Sequence, residues 1–229
     1  MHHLLINGDS YSALTEHKVY GDFIGKKWNC PVVNIAIQGS NNDRISRSTV
    51  EYIESLPGDT KPFVIIGWSF IRRLEVWYYG DNKNILNSIP DKADNSIYNK
   101  LVTLDFLINQ NEATLEQKCL IQEDLFVHKQ LVEFYTKIFF LANYLESKKI
   151  DYLFFSGAKN SEVPIHCFPS IEKMSMVQKV TNNKRIYNLT DFYIMDYAFK
   201  NDPDCDKNTG HLSESGHEKF SQYMLENMI

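Results

Sequence analysis

Short continuous apolar runs alternate along this chain with longer stretches in which apolar residues recur every three or four positions. The runs read as buried strands and the stretches as amphipathic helices. Residues 3–6 (HLLI) predict a first strand. Residues 12–28 carry Leu14, Val19, Phe23 and Ile24 at helical spacing, with Gly21 and Gly25 weakening that helix. Residues 31–37 (PVVNIAI) are a second strand, rich in β-branched side chains. Residues 41–56 open with Asn and Asp as cap candidates and stop before Pro57-Gly58, as a helix does. The near-continuous apolar run at residues 61–68 (KPFVIIGW) fits a buried parallel strand. Residues 80–97, rich in Asn, Asp, Lys and Ser, read as a polar excursion. Beyond it the pattern predicts a strong helix over 128–150, a fourth strand over 151–157, a fifth over 185–189 (RIYNL) and a closing helix over 214–229.

This alternation predicts an α/β fold: one domain over residues 1–229, with a central parallel sheet of about five strands and a long excursion around residues 80–125. Ligands in such sheets bind beyond the carboxyl ends of the strands. That rule selects the loops at residues 7–11, 38–43 and 67–73.

Composition narrows the choice of partner. A hydrophobic content of 43% and a charged content of 23% allow one sizeable core in 229 residues. Net charge is −5 with no Lys/Arg block, which argues against nucleic acid and against an anionic membrane surface. No basic segment leads into a long apolar run, so no signal peptide is visible, and no apolar run is long enough to span a bilayer; the expected location is the cytoplasm. Cys30, Cys119, Cys167 and Cys205 are far apart and offer neither a disulfide framework nor zinc-ligand spacing.

The strand ends carry chemistry. The first offers Asp9-Ser10, the second Gln38-Gly39-Ser40-Asn41-Asn42-Asp43, the third Gly67-Trp68-Ser69, and a late segment, GHLSESGHEKF, offers His211. A serine becomes a useful nucleophile only with a base such as histidine in reach. It also needs N–H groups aimed at the oxyanion that develops during acyl transfer. Gly39 can present its N–H without a side chain in the way, and Ser10 can supply a second from its own turn.

In this order, Gly-Asp-Ser after the first strand, VNIAIQGSNNDRI around the second and HLSESGHEKFSQYM near the end, the chain resembles the SGNH or GDSL-type hydrolases. The resemblance implies a three-layer α/β/α sandwich of flavodoxin-like type. It implies Ser10 as nucleophile, His211 as base, and an oxyanion hole of Ser10 and Gly39 with Ser69 as a third donor. The substrate class it implies is a small acyl ester, such as a carbohydrate O-acetyl group, hydrolysed with no metal or organic cofactor. Two positions depart from the family pattern. Ser69 stands where the third block carries an oxyanion-binding Asn, and Asn208 stands where an Asp precedes the histidine by three; Asp206 lies two residues further back. Either Asp206 or Asn208 could orient His211. Asp9, Asn41, Trp68 and Arg72 are candidates for contacts to substrate, and Arg73 and Glu75 for ion pairs beside it. Trp77, Tyr78 and Tyr79 fit either a sugar or acyl pocket or the packing under the excursion.

Other readings of the same residues stand beside this one. Gly8-Asp9-Ser10 also suits an ordinary turn capped by Asp or Ser, and SESG after His211 suits a helix N-cap. GWSF is half a nucleophile elbow at Ser69, with Ile71 where the second glycine belongs. Asp202, Asp204, Asp206 and Asn208 alternate as in a calcium loop, but Lys207 takes the glycine position and Ser213 the twelfth, which favours a solvated acidic loop. His217 suits a supporting or surface position, and His128 and His166 have no partner pattern. Loss of both block residues together fits a non-catalytic module of this fold that binds carbohydrate or serves a structural role. The oligomeric state is left open.

Overall fold

The computed structural model describes residues 2–14, 16–71, 73, 75–77, 101–103, 124–157, 169–189 and 192–229, with backbone only at 75–77, 101–103 and 124–128. Its strands are β1 (Leu4–Gly8), β2 (Val32–Asn34), β3 (Phe63–Trp68), β4 (Glu75–Trp77), β5 (Leu101–Thr103) and β6 (Tyr152–Ser156). Its helices are α1 (Tyr20–Trp28), α2 (Asn42–Ser55), α3 (Asp124–Ser147), α4 (Pro169–Glu172), α5 (Ser175–Thr181), α6 (Ile194–Asn201) and α7 (Glu214–Asn227). Four strands form an all-parallel sheet in the order β2-β1-β3-β6, while β4 and β5 pair antiparallel in a separate ribbon. The polar excursion at residues 80–97 lies outside the described residues, as do Arg72, Tyr78 and Tyr79.

Strand alternation builds two cores. Leu5, Val64, Ile66, Trp68, Tyr152 and Phe154 face one side, where Ile45 and Ile53 of α2, Ile138 and Leu145 of α3 and Val177 of α5 cover them. Leu4, Ile6, Ile65, Leu153 and Phe155 face the other, under Tyr20 and Ile24 of α1, Ile194 of α6 and Phe220 and Met224 of α7. Each such side chain contributes roughly 1.5–3 kcal/mol on burial, so the sheet is held from both faces.

Two elements differ from the pattern read in the sequence. The expected fifth strand, residues 185–189, reaches the sheet only as a bridge between Ile186 and Phe154, beside a hydrogen bond from Tyr187 N–H to the Phe154 carbonyl (2.7 Å). Asn188 then takes a left-handed backbone (φ 28°) that turns the chain off the edge. The first helix begins at Tyr20 rather than near residue 12. Its glycines serve packing: a Cβ on Gly21 would lie 2.5 Å from Ile6 Cγ1, so α1 can approach β1 closely only there without one. Among the described residues, no helix is long and apolar enough to cross a membrane.

Candidate functional site

Beyond the carboxyl end of β1 the chain folds into a tight turn. The Asp9 carbonyl accepts the N–H groups of Ser12 and Ala13 (both 2.9 Å), and Asp9 Oδ1 accepts that of Tyr11 (3.1 Å). Gly8 makes room for this turn, since a Cβ there would lie 2.6 Å from Ser12 Oγ and 2.7 Å from the Gly67 carbonyl oxygen. One residue earlier, the buried Asn7 side chain ties the strand end to α2 by donating to the Ile45 carbonyl (3.0 Å) and to Thr49 Oγ1 (2.8 Å). Ser10 sits half-buried at the crest, and its hydroxyl makes no hydrogen bond among the described residues.

His211 arrives from the far end of the chain. Its ring stacks on Tyr11, centroids 4.7 Å apart and planes 17° from parallel. The Tyr11 hydroxyl donates to the Thr209 carbonyl (2.7 Å), so the residue next to Ser10 anchors the histidine loop. Burial pushes the Tyr11 hydroxyl pKa up to about 12, which keeps it a donor. Within the loop, Thr209 Oγ1 lies 2.6 Å from His211 Nδ1 and 2.6 Å from Asp206 Oδ2. Asn208 contributes its backbone N–H, which donates to Asp206 Oδ1 (2.9 Å). Burial holds His211 below the usual histidine pKa, opposed by the charges of Asp9 and Asp206 and assisted by that of Arg73.

Asp202 fixes the loop from the other side. Its buried carboxylate accepts the Ser213 N–H (2.7 Å) and hydroxyl (3.0 Å), and the Ser213 hydroxyl oxygen in turn accepts the Gly216 N–H (3.1 Å) as the N-cap of α7. A Cβ on Gly216 would collide with Asp202, so the Gly-His pair opening this helix provides space for the carboxylate. Asp202 and Asp206 thus both have protein partners. Among the described residues, no group of three His, Cys, Asp or Glu side chains could hold a metal ion.

A buried charge cluster lies under the turn. Asp9 is fully buried, and its Oδ2 accepts the Ser69 hydroxyl (2.7 Å) and Nη1 of Arg73 (3.2 Å). The same Nη1 donates to Ser69 Oγ (2.9 Å) and to the Ser40 carbonyl (3.3 Å), joining the second and third strand ends. Burial pushes the Asp9 carboxyl pKa up, against the pull of Arg73, Ser69 and the Tyr11 N–H. Nη2 and Nε of Arg73 make no hydrogen bond among the described residues, and its side chain is 19% exposed.

The structure therefore gathers some of the residues singled out in the sequence and separates others. Tyr11 ties the Ser10 turn to the loop that carries His211, Asp206 and Asn208. Gly39 has a left-handed backbone (φ 77°) with nothing within 4 Å of where a Cβ would be, and neither its N–H nor that of Ser10 donates to a described residue. Ser69 is spent as a donor: its hydroxyl goes to Asp9 and its N–H to Asn42 Oδ1 (2.8 Å). Trp68 lies in the core, edge-on to Phe134 and Phe154, and is fully buried; it cannot touch a substrate. Asn41 caps α2 by accepting the Arg44 N–H (2.9 Å), and Asp9 is sealed beneath the turn, so neither side chain faces an open site. Arg72 lies outside the described residues. Tyr11, Asp202 and Thr209 were not legible as parts of this site; only the adjacency of Tyr11 to Ser10 hinted at one of them.

Among curated proteins, none matches the chain. A family model described as a family of unknown function (DUF6071) matches residues 9–177, well over half of the sequence. The matched span takes in the Ser10 turn, Gly39, Ser69 and Arg73 and stops short of the histidine loop. On the extent of that match, the chain belongs to this family of unknown function, DUF6071.

Proposed function

We propose that the chain is a serine hydrolase of small acyl esters, with carbohydrate O-acetyl esters as the first natural class to test. The observation that carries this reading is the Tyr11–His211 stack, which fixes an imidazole beside the Ser10 turn, while two backbone N–H groups, on Ser10 and Gly39, donate to no described residue. Ser10 Oγ attacks the ester carbonyl carbon as its proton passes to Nε2 of His211. The oxyanion forms against the N–H groups of Ser10 and Gly39. Arg73, whose Nη2 and Nε bond to no described residue, adds positive potential on the side where the hydrolase pattern has an Asn and this chain has Ser69. The imidazolium returns the proton to the departing alcohol, and water repeats the cycle on the acyl-enzyme, releasing the carboxylic acid.

Turnover of an activated acetyl ester by the wild type, Ser10→Ala and Ser69→Ala proteins tests this. Loss of at least about 10³-fold in kcat is expected for Ser10→Ala. Ser69→Ala keeps its nucleophile and loses less. A wild type no faster than Ser10→Ala would favour a second reading, a non-catalytic carbohydrate-binding or structural module. One observation supports that alternative: the Ser10 hydroxyl has no hydrogen bond to His211.

A further inference from the structure

Asp206 and His211 share no direct side-chain hydrogen bond; the Thr209 hydroxyl stands between them, 2.6 Å from each. That hydroxyl has one hydrogen and two lone pairs. A carboxylate only accepts, so the hydrogen goes to Asp206 Oδ2. The Thr209 oxygen then meets Nδ1 of His211 with a lone pair, and the hydrogen in that contact must come from Nδ1. Nε2 is left with its lone pair free. The Thr209 hydroxyl and the Asn208 N–H hold the Asp206 carboxyl below the usual carboxylate range, which keeps it an acceptor.

We infer that Thr209 is the positioning residue of this site: donating to Asp206 and accepting from Nδ1, it holds His211 in the tautomer whose Nε2 can take the Ser10 proton. The inference rests on the hydrolase reading for its catalytic meaning but not for its geometry. It also accounts for the departure at position 208. With Asp206 two residues further from the histidine than the hydrolase pattern places its Asp, a short hydroxyl side chain closes the gap. The Tyr11 hydroxyl holds the Thr209 carbonyl and so keeps the relay in register with the Ser10 turn. During the reaction Nδ1 keeps its proton; the imidazolium formed at Nε2 is stabilised through the Nδ1–H···Oγ1–H···Oδ2 chain.

The test pairs ¹⁵N NMR of the His211 ring with ester turnover, on the full chain and its Thr209→Val and Thr209→Ser variants. The wild type is expected to carry its proton on Nδ1 above the histidine pKa. Thr209→Val keeps the shape and the backbone carbonyl used by Tyr11 but should redistribute that proton between the two nitrogens. Its kcat should fall by about 10²-fold with KM little changed. That loss is below the roughly 10⁴-fold seen when a directly bonded carboxylate is lost in the serine-protease template, because here the charge acts through an intervening hydroxyl. Thr209→Ser should restore both signals. A wild-type ring protonated on Nε2, or a Thr209→Val protein with unchanged tautomer and turnover, would overturn the relay. A wild type that carries its proton on Nδ1, loses that preference on Thr209→Val and hydrolyses no ester would overturn the hydrolase reading and leave the relay standing.

Discussion

Gly8 and Gly39 both flank the proposed site, yet each is glycine for a different reason, and substitution separates them. A methyl group on Gly8 would run into Ser12 Oγ and the Gly67 carbonyl, one of them fixed backbone between paired strands. Gly8→Ala should therefore cost roughly 2–4 kcal/mol, read as a lower urea midpoint. Gly39 has open space around it and is constrained only by its backbone angle. Gly39→Ala should cost about 1 kcal/mol in the same measurement. The contrast also shows what the sequence could reveal at this scale. Ser10, Gly39 and His211 stand out in the sequence because the proposed acyl transfer would need a nucleophile, an oxyanion donor and a base of those residue types. Strand alternation puts Trp68 on the same face as Val64 and Ile66, which are core, and so places it inward rather than at a substrate. Thr209 carried no such signal, since a hydroxyl gains a relay role only when a loop brings it between two named partners.

At the scale of elements, the histidine loop owes its shape to the start of α7. Asp202 holds the Ser213 N–H and hydroxyl, and Ser213 caps the helix, so the carboxylate fixes the helix start two residues beyond His211. Asp202→Ala should remove three hydrogen bonds, from the Ser213 N–H and hydroxyl and the Asp204 N–H, and leave a buried hollow. A loss of about 2 kcal/mol in unfolding free energy is expected, with a weaker Tyr11–His211 ring-current shift in the NMR spectrum. Helix α7 is legible from its helical spacing, and strand β3 from a near-continuous apolar run that both cores bury. Helix α1 starts later than that spacing predicts: Leu14 fits the helical period but is 56% exposed and belongs to the turn that follows Ser10. The fifth strand failed where periodicity is silent, at a single left-handed Asn188.

For the whole molecule, acid sensitivity has an identifiable source. His217 is buried against Tyr20, and burial pushes its pKa down to about 4, opposed by Asp202 and assisted by His211 and His17. Its value in the unfolded chain is about 6.5. The unfolded chain therefore binds the proton more readily, and the stability linked to His217 is complete above about pH 6.5 and lost as pH falls toward 4. The full loss is on the order of 3 kcal/mol. Urea midpoints at pH 7 and pH 4.5 should differ less for His217→Phe than for the wild type, and equal differences would show that other groups dominate the acid response.

The cluster beneath the turn has a consequence for how the family can vary. The Asp9 carboxylate is fully buried, and Ser69 and Arg73 are the side chains that hold its Oδ2. Losing Arg73 alone strands a buried carboxylate, at roughly 3–5 kcal/mol when such a pair is broken. Single replacements along a lineage are therefore penalised, while paired ones are not. Positions 9, 69 and 73 should accordingly change together among relatives, and a lineage that has lost the arginine should carry a neutral residue at position 9.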